Sequence, residues 1–259
     1  MFKKKITRLA LPLWVAGTYL FLYIPLFVLV TFSFNSIAFP YRWQGFSLMW
    51  YQELFESSAL WHAAFNSLQV AISAVLISLT IGLLFVMWNA QSKSRYLPAF
   101  FYPNLVIPEI VLAVGLLNFF IFFHIPLGLV SLTVAHALLG LGYAIPILQS
   151  SFAAIDDRLV EASFDLGATT HQTFFKVILP ILMPSLAAAG LLIFILSLDD
   201  FLIAFFCAGT SAQTLSLYIF AMIRTGVSPE VNALATLMLV SSSALVALFS
   251  SLRARTRIW

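Results

Sequence analysis

Apolar residues in this chain come in long runs separated by short polar stretches, with little of the 3.6-residue rhythm that marks a half-buried helix. A helix needs about 20 mostly apolar residues to cross the hydrocarbon layer, where no water satisfies backbone N–H and C=O groups. Six stretches have that length, at about residues 9–34, 63–89, 98–123, 127–150, 181–206 and 232–252. The pattern predicts an all-α integral membrane protein with six transmembrane helices, forming a single transmembrane domain over residues 1–259. The first run, after Lys3, Lys4, Lys5 and Arg8, is longer than the roughly 7–15 apolar residues of a signal peptide, so it is expected to be an uncleaved span.

Composition narrows the class. Hydrophobic residues make up 62% of the chain and charged residues 9%, against about 25% charged in soluble domains. So few charges cannot cover a water-soluble surface, which excludes a soluble enzyme, a nucleic-acid binder and a disordered chain. The single cysteine, Cys207, excludes a disulfide framework or a multi-cysteine metal site. His62, His124, His136 and His171 show no haem or zinc arrangement, and a lone intramembrane His136 reads as a helix–helix contact.

Charge placement sets direction. Eleven of the 13 basic residues fall at the N-terminus, after the second span (Lys93, Arg95), after the fourth (Arg158, Lys176) and at the C-terminus (Arg253, Arg255, Arg257). Only Arg42 and Arg224 fall on the other side. The positive-inside rule then makes both termini cytoplasmic. Six of the ten acids (Glu53, Glu56, Glu109, Asp199, Asp200 and Glu230) lie in the external loops or within the spans. Membrane insertion alone accounts for such an asymmetry; so does an acidic entrance and path for a cation.

Three soluble segments carry detail. Residues 35–62, with Phe39, Tyr41, Trp43, Phe46, Trp50, Tyr51, Phe55 and Trp61, read as an interfacial aromatic belt or as a docking surface for an external partner. Residues 207–231 read as a loop with a short helix near Leu215–Arg224. The cytoplasmic loop 151–180 is too long for a simple turn. Asp156 and Asp157 suit a helix N-terminus, Gly167 suits a break, and Ala168–Lys176 can form a second short helix before Pro180. The result is a compact knob suited to a cytoplasmic partner.

That loop carries Glu161-Ala162-Ser163, three residues, Gly167, nine residues, then Val177-Ile178-Leu179-Pro180. It resembles the E-A-A-x3-G-x9-I-x-L-P loop of binding-protein-dependent ABC importer permeases, with Ser163 in place of the second alanine and Val177 in place of isoleucine. Ile107-Pro108-Glu109-Ile110-Val111, Ser197-Leu198-Asp199-Asp200 and the segment 226–236 are similar to the permeases of spermidine/putrescine importers, and the likeness covers nearly the whole chain. The resemblance implies the permease fold of a type I importer in the bacterial inner membrane. A sibling permease subunit would share the pathway, a cytoplasmic ATPase dimer would engage the loop, and an external polyamine-binding protein would deliver cargo. Glu161, Ala162, Asp165, Gly167, Thr170 and His171 are then the expected ATPase-coupling residues. No G-x-x-x-x-G-K-[ST] loop occurs, so ATP and Mg are expected on the partner ATPase, no cofactor on this chain, and no bond chemistry in it.

The intramembrane acids remain. A buried charge at such depth costs about 2.5–3.5 kcal/mol on insertion scales and therefore faces a cavity or a partner. A polyamine is a string of ammonium groups separated by methylenes, matched by spaced carboxylates with aromatic surface between them. Glu109, expected near the bilayer centre, with Asp199 and Asp200 and with Phe201, Phe205 and Tyr143 nearby, fits a substrate path, and Glu230 fits its entrance. Interhelical hydrogen bonding is the competing account, and Asp200 in particular is expected to be partly structural. The competing functions are an importer of another small solute, a self-contained proton-coupled transporter, and a haem-anchoring subunit.

Overall fold

The computed structural model describes residues 2–37, 42–92, 100–101, 103, 106–226 and 229–256. Phe39, Tyr41, Lys93, Arg95, Arg257, the segment positions 227 and 228, and the start of the third predicted span at 98–99 lie outside the described residues. Among the described residues the chain is nearly all helix: α1 Phe2–Phe32, α2 Met49–Glu56, α3 Ser58–Ser92, α4 Glu109–Phe122, α5 Leu129–Ala153, α6 Asp157–Asp165, α7 Thr170–Thr173, a π-helical turn Phe174–Ile178, α8 Leu179–Asp199, α9 Leu202–Cys207, α10 Leu215–Thr225 and α11 Pro229–Thr256. One isolated antiparallel bridge joins Asn35 to Phe46.

Among the described residues, five helical stretches are long and apolar enough to cross a membrane: Leu11–Phe32, Ser58–Ala90, Leu129–Ala153, Thr170–Asp199 and Pro229–Leu248. These match five of the six predicted spans. The third differs. Among the described residues α4 begins at Glu109 and has 14 residues, about 21 Å at 1.5 Å per residue, short of the roughly 30 Å hydrocarbon core. The reason is proline. Pro108 stands outside the helix with ψ 131°, and a residue before proline is pushed away from helical geometry. Val106 and Ile107 instead donate their N–H groups back to the Pro103 carbonyl at 3.0 and 2.8 Å. Glu109 is thus the first residue of α4.

The fifth predicted span also differs in form. Helix α8 ends at Asp199, Asp200 is extended (φ −64°, ψ 126°), and the chain resumes as the six-residue α9. At its other end the helix starts earlier than expected, because α7 runs through the π-helical turn into α8 without a loop. Pro180, which has no N–H to donate, follows the π-helical turn inside this continuous run.

The chain divides into two compact units, Ala59–Tyr218 and the combination of Met1–Ser58 with Ile219–Trp259. In the first, α5 packs along α8, and α4 packs on α9. One apolar cluster gathers Val70, Ala113, Phe120, Leu132, Ala135 and Ile203; another gathers Val86, Leu148, Leu182 and Leu186. Small residues let these helices approach closely. Ser78 donates to the Ala137 carbonyl at 2.9 Å, and a Cβ on Gly140 would strike the Ser78 hydroxyl and lie 2.9 Å from Ile193 Cγ2. Gly140→Leu is therefore expected to destabilise the protein by about 1–3 kcal/mol through overpacking. Gly115→Leu, where nothing lies within 4 Å, is the control, and thermal unfolding in detergent reads the difference.

In the other unit α11 packs against α1 and α2. The aromatic segment folds around the buried Asn35. Its side chain donates to the Arg42 carbonyl and accepts from the Gln44 N–H, both at 3.0 Å, while its own carbonyl accepts from Trp50 Nε1 at 2.7 Å. Phe34 stacks on Phe46 and lies tilted against Tyr51, each at 5.2 Å. Part of the aromatic content is thus consumed internally, while Trp43, Phe46 and Phe55 stay exposed.

Candidate functional site

Two places in the Ala59–Tyr218 unit gather the predicted residues. The first is the helix pair α6–α7. Asp156 caps α6, accepting from the Arg158 N–H at 3.0 Å. The helix ends at Gly167, whose φ of +83° is a left-handed conformation that favours glycine. There the Ala168 N–H reaches back to the Ser163 carbonyl at 3.0 Å and the Gly167 N–H to Phe164 at 2.8 Å, the paired bonds of a Schellman C-cap. Thr169 and Gln172 then form a reciprocal capping box at the start of α7.

Ser163, the position that departs from the expected alanine, has a structural use. It is buried, and its hydroxyl contacts both the Val160 carbonyl (2.7 Å) and Thr173 Oγ1 (2.8 Å), clipping α6 to the end of α7. Glu161, Ala162, Asp165, Gly167, Thr170 and His171 are all exposed. Beside them Leu159, Phe164 and Phe175 are exposed too, and Leu166 is 89% exposed. His171 packs on Phe175 with centroids 4.5 Å apart. The knob therefore presents apolar side chains beside carboxylates, with both ends of α6 and the start of α7 capped by its own residues.

The second place lies where α8 breaks. Asp200, 6% exposed, turns its carboxylate onto the start of α9: Oδ1 accepts from the Ile203 N–H at 3.3 Å and Oδ2 from the Ala204 N–H at 2.9 Å. Its backbone carbonyl accepts from the Ser216 hydroxyl at 2.7 Å, which anchors the beginning of α10. His136 of α5, 1% exposed, meets the same carboxylate, with Nε2 3.2 Å from Oδ2. The contact does not meet hydrogen-bond geometry and is a close polar approach. The other imidazole nitrogen, Nδ1, shares a hydrogen bond with Ser197 at 2.5 Å. On the outer side the Glu109 carboxyl reaches the Asp200 carboxyl.

The structure thus joins Glu109 to Asp200 and separates both from Asp199, which points to an exposed surface although it is the next residue to Asp200. Glu230 belongs to the other unit, half-buried at the start of α11, where its charged neighbour is Glu53. Tyr143 packs against the apolar cluster of the first unit, and Phe201 lies tilted on Phe205 at 5.5 Å. Sequence reasoning passed over His136 and Ser197 as members of this cluster. The signal was present: a histidine inside the apolar run 127–150 has to find a polar partner, and Ser197 lies one helical turn before Asp200. No group of three or more His, Cys, Asp or Glu side chains suited to a metal ion occurs among the described residues.

The geometry describes a buried carboxyl, Asp200, joined to an exposed one, Glu109, and a capped helix pair with an exposed apolar face. A family model described as a binding-protein-dependent transport system inner membrane component matches residues 78–256. The chain is 40% identical over 233 residues to the spermidine/putrescine transport system permease protein PotC of Haemophilus influenzae, covering 89% of this chain and 91% of that one. It is 34% identical over 229 residues to the putrescine transport system permease protein PotI of Escherichia coli K12, covering 85% and 82%. Among solved structures, a bacterial ABC transporter involved in the import of alginate shares the fold, with a TM-score of 0.76 at 15% identity over 98% of this chain and 96% of that one. On these grounds the chain belongs to the family of binding-protein-dependent transport system inner membrane components.

Proposed function

We propose that this chain is the PotC-type permease subunit of an ATP-driven importer whose cargo is a polyamine, spermidine or putrescine. The observation that carries the reading is the likeness to a spermidine/putrescine permease along nearly the full length of both chains. The chain lies in the bacterial cytoplasmic membrane as one permease domain over residues 1–259. It has six spans, α4 and the residues before it supplying the third, and both termini are cytoplasmic, as the charge bias favours. It pairs with a sibling permease. The knob α6–α7 seats in a cytoplasmic ATPase dimer through Glu161, Ala162, Asp165, Gly167, Thr170 and His171, and an external binding protein delivers the cargo. ATP and Mg act on the ATPase; this chain binds no cofactor and converts motion.

The rigid caps of the knob support that role. A lever transmits force only if it does not unwind, and the C-cap at Gly167 with the Ser163–Thr173 clip leaves few free backbone groups in it. The helical continuity from α7 to Asp199 carries any displacement of the knob toward the carboxyl pair. For the cargo, Glu109 and Asp199 offer exposed carboxylates that attract ammonium groups, the Phe201–Phe205 pair offers aromatic surface for the methylenes, and Glu230 with Glu53 forms an acidic entrance.

The test is purification with the sibling permease, the ATPase and the binding protein, followed by reconstitution in liposomes. Spermidine or putrescine should stimulate ATP hydrolysis and enter the vesicles. Asp199→Asn should lower uptake by about tenfold or more while the ATPase still co-purifies, the loss of one charge-assisted contact being worth about 1.5–3 kcal/mol. A complex that responds to neither polyamine overturns the assignment.

A further inference from the structure

We propose that His136 is a positioning residue for the cargo step: it holds Asp200 and Ser197 so that the Glu109 carboxyl is presented to an ammonium group of the substrate. The inference rests on the polyamine reading above and names a residue that reading does not use.

Burial comes first. An imidazole 1% exposed in the middle of α5 loses its hydration and needs a reason to be there. Holding helices together is not a sufficient one. Helix α5 is already tied to α8 by the Ser151–Ser185 hydroxyl bond at 2.7 Å and to α3 by the Ser78 bond to Ala137, both made by small side chains. His136 instead uses both faces of its ring, one on Ser197 in the last turn of α8 and one on Asp200 at the break.

What Asp200 can do follows from its partners. Both of its oxygens already accept N–H groups of α9, and its side chain is 1% exposed. It has no free face for cargo. Glu109, on the exposed side of the pair, does. The Glu109 carboxyl rests against the Asp200 carboxyl, so where Glu109 points depends on what holds Asp200. The groups that face Asp200 are Glu109 from α4, His136 from α5 and, by its field, Cys207 from α9. Of these only His136 brings a ring nitrogen to the carboxylate, 3.2 Å from Oδ2, and it therefore fixes the position of Asp200 behind Glu109.

The experiment uses the complete complex in liposomes with spermidine-loaded binding protein. His136→Ala should lower the maximal uptake rate about tenfold without changing the concentration of loaded binding protein that gives half of it, with ATPase co-purification retained. His136→Gln, whose amide N–H can still point at Asp200, should recover most of the rate. In a double-mutant cycle with Glu109→Gln, the pair should lose no more than the worse single variant, because both act through one group. Wild-type uptake by His136→Ala, additive losses in the cycle, or loss of the complex in both His136 variants would each overturn the proposal. A wild-type complex indifferent to polyamine overturns the cargo reading, and this inference with it; a responsive wild type with an unaffected His136→Ala overturns this inference alone.

Discussion

Asp200→Ala is expected to destabilise the protein by about 3–5 kcal/mol, the cost of removing one partner from a buried charged contact. The change strips the cap from two N–H groups, those of Ile203 and Ala204, and leaves His136 facing an apolar gap. The α9 segment packs on α4 and α5, so unwinding it also loosens Ile203 and Ala204 in the apolar cluster. Asp200→Asn keeps an oxygen for one N–H and should cost less. Asp199→Ala, one residue away but exposed, should stay within about 0.5 kcal/mol, as surface substitutions do. Thermal unfolding of the three variants in detergent orders them. An Asp200→Ala protein that melts like the wild type yet fails to transport would mean that the carboxylate serves cargo and not the fold.

Gly167→Asp should release the ATPase from the permease while the chain still inserts in the membrane. The φ of +83° costs a residue with a Cβ roughly 1–2 kcal/mol, and the added carboxylate sits at the C-terminal end of α6, where the helix dipole disfavours negative charge by about 0.3–1 kcal/mol. Space is not the issue, since nothing lies within 4 Å of the would-be Cβ. The damage instead falls on the cap: if residue 167 leaves the left-handed region, the bonds from Ala168 to Ser163 and from Gly167 to Phe164 are lost, and Leu166 and Phe164 move with them. Asn tolerates this conformation better than most residues. Gly167→Asn should therefore retain more ATPase in a pull-down from membranes than Gly167→Asp, with equal amounts of permease inserted. Equal retention by both variants would show that the glycine conformation is not what the partner reads.

Much of the fold was readable before any coordinates, for reasons that differ from element to element. Five spans follow from apolar length alone, because a bilayer admits few alternatives to a helix of about 20 residues. The helix α10 at Leu215–Thr225, the cap at Asp156 and the break at Gly167 were also visible, each being a local property of a few adjacent residues. Apolar length does not show where within 98–123 the helix begins, because it says nothing about backbone geometry. Pro103 and Pro108 redirect the chain within an apolar run, and the helix waits until Glu109. Likewise the apolar run through 181–206 hid the break at Asp200.

By itself, the sequence determined that this is a membrane-embedded helical protein, that a knob lies between the long helices α5 and α8, and which acids have to be accounted for. These are consequences of composition and of residues close together in the chain. Only the tertiary structure decided which acid does what. Asp199 and Asp200 are neighbours in the chain, yet the break in α8 sends one outward and the other inward onto His136, 64 positions earlier. Glu109 comes to Asp200 because α4 packs on α9, and Ser163 meets Thr173 because Gly167 turns the chain back. Pairings between distant residues depend on how helices pack, and no run of neighbouring residues encodes that.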